Sequence, residues 1–113
     1  MTLPKIRRIK KEKDFKEIFS KGKTVRNSFL FIRFIKNNLE SNRITVTISA
    51  KIVKKAVDRN RIRRRVNNFL RFKIDEIFGG HDIIFIITKD LKNITPGELK
   101  IEIINVLKEA KLI

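Results

Sequence analysis

The densest chemistry in this chain lies between Lys51 and Lys73, where ten Lys and Arg side chains stand against a single acid, Asp58. At its centre is the run Arg59-Asn60-Arg61-Ile62-Arg63-Arg64-Arg65. A guanidinium group presents a planar fork that holds phosphate oxygens two at a time and also stacks on bases. Asn60 adds a side chain that both donates and accepts, which suits riboses and base edges. On an isolated helix such a run repels itself at i,i+3 and i,i+4 spacing, and an anionic partner removes that penalty. Basic helix faces are commonly no more than solvated surface. Here the density and the single sign favour nucleic acid. Composition by itself does not separate RNA from DNA.

Hydrolysis by the protein's own groups finds less support. The chain has one histidine, His81, and no cysteine. Its acids Glu12, Asp14, Glu17, Asp58, Asp75, Glu76 and Asp82 show none of the paired spacing that two-metal or general acid–base chemistry requires. His81, beside Gly80, reads as a loop histidine, and Asp82 as a turn residue at the start of a strand. No catalytic residue and no metal site is therefore expected in the protein. The 113 residues suit one domain spanning 1–113, and 42% hydrophobic residues are enough to give it a core. With 28 Lys+Arg against 12 Asp+Glu the net charge is +16, which favours contact with a polyanion over an isolated existence. The longest apolar run, Ile83 to Ile87, is too short to cross a bilayer, and Met1 to Lys13 lacks the apolar stretch of a signal peptide. A cytoplasmic protein without a membrane partner is the expectation.

The elements that must carry these residues follow from periodicity. Residues 1–10 form a basic, loosely ordered arm with Lys5, Arg7, Arg8 and Lys10, and Pro4 opposes helix there. From Lys11 to Ser20, Phe15, Ile18 and Phe19 fall on one helical face that Gly22 ends. Phe29 to Lys36 and the alternating Arg43 to Ser49 read as two strands, and the polar residues between them predict an antiparallel hairpin. A long helix is predicted from about Val53 to Phe72. On its wheel Val66 and Phe69 fall within about 40° of Ile62, with Leu70 on the flank. Asp82 to Thr88 contains five apolar residues in a row and reads as a strand buried on both faces. Thr95-Pro96-Gly97-Glu98 supplies an N-cap, a proline at the first helical position and the acid of a capping box. Leu99, Ile103, Val106, Leu107 and Ala110 follow at helical spacing. The predicted order is α-β-β-α-β-α, an α+β fold with a small mixed sheet packed on helices.

With these pieces in place, the segment from Lys51 through Lys54, Lys55 and Ala56 to Arg59-Asn60-Arg61-Ile62-Arg63-Arg64 resembles the signature of the bacterial ribonuclease P protein family. That signature is a lysine, a basic spacer and alanine, then Arg-Asn-Arg-x-(Lys/Arg)-Arg, following a strand that ends in a small polar residue such as Ser49. Asp14-Phe15-Lys16-Glu17-Ile18-Phe19, Lys21-Gly22 and Asp82-Ile83-Ile84 also fit the family pattern, so the resemblance covers nearly the whole chain.

The resemblance implies the protein subunit of an endoribonuclease that removes the 5′ leader from precursor tRNA, with the catalytic centre and its Mg²⁺ in the RNA. It implies ribonuclease P RNA and precursor tRNA as partners, and no obligate protein partner. By the same resemblance, Lys51, Lys54, Lys55, Arg59, Asn60, Arg61, Arg63, Arg64 and Arg65 contact the catalytic RNA, together with Lys5, Arg7, Arg8 and Lys10 of the arm. The cleft between the first helix and the sheet would take the leader, at Phe15, Phe19 and Lys11. Phe15 and Phe19 read equally well as a core seam with Ile18. The family often has a tyrosine facing this cleft; this chain has none, and Ile32 or Phe34 would stand in its place. Ala50 replaces a lysine common in the family. The family also connects its strands through the signature helix by a left-handed βαβ crossover, where general handedness rules predict a right-handed one.

Three rival functions share parts of this pattern. A ribosomal or ribosome-assembly protein would have the same charge and layering but not the ordered signature. A DNA-binding regulator would need a helix-turn-helix or a dimerisation face, and neither precedes Val53. An autonomous nuclease would need the acid cluster that is missing.

Overall fold

Strand β4 (His81–Ile87) is the centre of the molecule, and its composition explains why. Ile83, Ile84, Phe85 and Ile87 are all buried, so residues of both parities are covered, as the unbroken apolar run requires. It pairs antiparallel with β2 (Leu30–Lys36) on one side and parallel with β3 (Arg43–Ile48) on the other. An edge strand, β1 (Lys23–Arg26), pairs with β2 and gives the order β1-β2-β4-β3. The computed structural model describes residues 9, 12–37, 39 and 41–113.

Two layers cover this sheet. On one face, Leu30, Ile32 and Phe34 of β2, Ile44, Val46 and Ile48 of β3, and Ile83, Phe85 and Ile87 of β4 form the main core. Helix α2 (Ala56–Lys73) brings Ile62, Val66 and Leu70 to it, and α3 (Pro96–Glu109) brings Leu99, Ile103, Val106 and Leu107. On the other face, α1 (Glu12–Lys21) seats Ile18 in a smaller cluster with Ile9 and Ile84, against which Phe15, Ile35 and Ile86 pack.

The α+β class and most elements agree with the sequence reading, with two corrections. First, the order is α-β-β-β-α-β-α, because Lys23–Arg26 is a strand that the sequence reading left unassigned. Only Val25 of these four residues reaches the core, so the segment carries almost no apolar alternation. Second, β2 and β3 do not form a hairpin, since β4 lies between them. Asn37 and Asn42, in the connection between them, serve β4 instead. The Asn37 amide N–H donates to the Gly80 carbonyl, and the buried Asn42 side chain donates to the Ile77 carbonyl and accepts from the His81 amide. The true hairpin is β1–β2, whose turn is closed by the Asn27 side chain accepting from the amides of Phe29 and Leu30.

Candidate nucleic-acid interface

Helix α2 starts without a side-chain cap. Lys55 at the N-cap is extended and caps nothing, so the first amides of the helix stay open beside Lys51, Lys54 and Lys55, all exposed. Its buried seam is Ile62, Val66 and Leu70, and the arginines divide by their angle to that seam. Arg59 folds back and donates to the carbonyls of Val53 and Lys54, both at 2.8 Å, closing the loop that enters the helix. Arg63 donates to the side chain of Asn60, and Arg65 reaches the Lys92 carbonyl at 3.5 Å. Arg61 and Arg64 are exposed and make no hydrogen bond or ion pair among the described residues. In the whole run from Lys51 to Lys73, the one ion pair among the described residues is Lys73–Glu76 at 2.7 Å. The helix therefore presents guanidinium groups to solvent without carboxylates to neutralise them, an arrangement suited to phosphates.

A second surface lies between α1 and the sheet. Arg33 organises it. One guanidinium nitrogen donates to the carbonyls of Ile18, Phe19 and Gly22, and the other to Thr24 at 2.7 Å, so the C-terminal turn of α1 is tied to β2. The same guanidinium lies 5.6 Å from the Phe19 ring centroid, and Arg26 lies 4.8 Å from that of Phe31. Gly22 is needed where α1 turns into β1, because a Cβ there would sit 2.3 Å from the Ile18 carbonyl oxygen. Phe19 is 50% exposed on the rim of this surface, whereas Phe15 is half-buried against Ile18 and Ile84.

At the other end of α1, Arg43 joins Asp82 at 2.5 Å and Asp14 at 3.3 Å, and Asn37 donates to Asp82 at 2.8 Å. The hydrogen bond to Asp82 raises the Arg43 pKa further above its ordinary value, against the opposing effect of burial, so the guanidinium stays charged. Asp14 of α1 and Asp82 of β4 thus converge on one cation, the Arg43 guanidinium. Among the described residues no group of three potential metal ligands is assembled, and no helix is long and apolar enough to cross a membrane.

The predicted site residues are placed unevenly. Lys51, Lys54, Lys55 and Arg59 to Arg65 share α2 and the loop before it, as expected. Lys5, Arg7, Arg8, Lys10 and Lys11 lie outside the described residues. Ile32 and Phe34 do not face the α1 side; they are buried in the main core beneath α2 and α3. Strand parity puts Phe31, Arg33 and Ile35 on the α1 side instead. The sequence carried the signal for this, since Arg33 is the lone charge within Leu30 to Ile35 and marks the parity that avoids the main core.

The family model described as Ribonuclease P matches residues 3–111. A ribonuclease P protein component from Alkaliphilus metalliredigens is 34% identical over 106 residues, 94% of this chain and 95% of that one. One from Clostridioides difficile is 35% identical over 92% of this chain and 91% of its own. Among solved structures, the RNase P protein of Staphylococcus aureus superposes with a TM-score of 0.83 at 31% identity, covering 93% of this chain and 95% of that one. The RNase P protein of Thermotoga maritima does so with a TM-score of 0.81 at 28% identity, covering 90% and 96%.

Proposed function

This chain belongs to the bacterial ribonuclease P protein family, a protein subunit of that endoribonuclease, and from this premise we propose how its two surfaces divide the work. The outer face of α2 binds the catalytic RNA, and the surface between α1 and the sheet receives the single-stranded 5′ leader of precursor tRNA. The observation that carries the first assignment is that Arg61 and Arg64 stand exposed and unpaired among the described residues on a helix otherwise fixed by its apolar seam. The second is supported by Phe19 and Phe31, each with a guanidinium over its ring, which offer stacking platforms to unstacked bases. Phe31 is the aromatic residue of β2 whose strand parity puts it on the α1 side, since Phe34 is buried in the main core. The chemistry and its Mg²⁺ belong to the RNA. The protein screens phosphate repulsion and adds leader contacts, so it lowers the Mg²⁺ requirement and favours precursor over mature tRNA.

The test is precursor-tRNA cleavage by a bacterial ribonuclease P RNA at low Mg²⁺, with wild-type protein or with Arg61→Ala/Arg64→Ala. Arg59 is left intact because it also closes the loop before α2. Wild type is expected to restore correct 5′ cleavage, and the double variant to need about tenfold or more protein for the same rate, from the loss of two phosphate contacts. Equal potency of the two proteins would remove α2 as the RNA-binding element. Cleavage by the protein without RNA would overturn the assignment of the chemistry.

A further inference from the structure

Phe72 is 75% exposed, the most exposed of the large apolar side chains among the described residues. It adds nothing to the core: α2 is seated by Ile62, Val66 and Leu70, and Phe69 packs against the main cluster. At the helical repeat, Arg64, Asn68, Arg61 and Phe72 fall within about 80° of one another, on the side opposite the buried seam. All four are exposed. Phe72 stands about 16 Å along the axis from Arg61, between Arg71 and Lys73 in sequence. An exposed aromatic ring at the end of a cationic ridge meets the two requirements of a single-stranded nucleotide, a charge for its phosphate and a flat surface for its base.

Resting on the reading that α2 binds the catalytic RNA, we propose that Phe72 is a stacking platform for an unpaired base of that RNA, a second anchor beyond the Arg-Asn-Arg motif. An apolar protein partner would have to cover the unneutralised Arg61 and Arg64 alongside the ring. A second copy of the chain would bring its own charge of +16 against the same ridge. A nucleotide strand meets neither obstacle.

The chain has no Trp and no Tyr, so Phe72→Trp introduces a lone indole reporter. Its fluorescence is expected to be quenched on titration with a bacterial ribonuclease P RNA. Phe72→Ala should weaken RNA binding about tenfold while leaving the salt dependence of binding unchanged. Arg61→Ala should instead reduce the slope of log affinity against log salt by about one. Phe72→Leu, apolar but not aromatic, should bind like the alanine variant. Wild-type affinity in Phe72→Ala or in Phe72→Leu, or an unquenched indole in a bound complex, overturns the stacking role and leaves the reading of α2 intact. Failure of the wild-type protein to bind the RNA at all overturns both.

Discussion

Arginine does three different jobs in this molecule, and the side chain's neighbours decide which. Arg33 satisfies three carbonyls at the C-terminal end of α1, where a helix leaves acceptors unpaired. Arg43 neutralises Asp82, whose side chain is 5% exposed, and reaches Asp14 across the face of the sheet. Arg61 and Arg64 are directed at solvent and so are available to a partner. Removing Arg43 would leave Asp82 buried with only Asn37 as a side-chain donor, and a buried charge that loses its partner is strongly destabilising. Arg43→Met is expected to cost about 3 kcal/mol in urea unfolding. Arg43→Met paired with Asp82→Leu should recover much of that loss. A single variant as stable as wild type would show that the network does not hold α1 in place.

At the level of elements, the helices were readable because their signals are local. The Thr95 side chain accepts from the Glu98 amide at 3.1 Å with Pro96 at the first helical position, as the sequence predicted. Thr95→Ala is expected to lower stability by about 1 kcal/mol, read as a shift in the denaturation midpoint without a change in slope. An unchanged midpoint would mean that solvent replaces the cap at no cost. The strands were less readable. Leu30 to Lys36 announces a strand, but nothing within it states which neighbour it takes. Two strands joined by Asn- and Ser-rich residues look like a hairpin whether the asparagines close a turn or, like Asn37 and Asn42 here, bond to the start of a third strand. Within β2 the one mark of the parity that faces α1, and with it Phe31, is the lone charge of Arg33 in an otherwise apolar run.

For the whole molecule, a charge of +16 on 113 residues is the governing quantity. The folded state concentrates this charge, and the unfolded chain spreads it, so anions that bind the native ridge of α2 stabilise folding by mass action. Millimolar sulfate or phosphate is expected to raise Tm by about 5 °C, roughly 1 kcal/mol in a domain of this size. Arg61→Ala/Arg64→Ala should show a smaller rise. A wild-type shift no larger than that given by chloride at equal ionic strength would mean that screening alone acts and no anion is bound specifically.

The sequence by itself determined the charge and its concentration on one helix, the apolar seams that turn that helix's arginines outward, the α+β class, and the family. These follow from residue type and from spacing over a few positions, which short-range sterics and burial translate directly into structure. The tertiary structure decided which strand entered the middle of the sheet, which face of β2 meets α1, and which arginines are bound internally. Those depend on groups far apart in sequence competing for the same donors and the same buried surface. That competition is settled only when Asp82, Arg43 and Asp14, or Arg33 and the end of α1, are brought together.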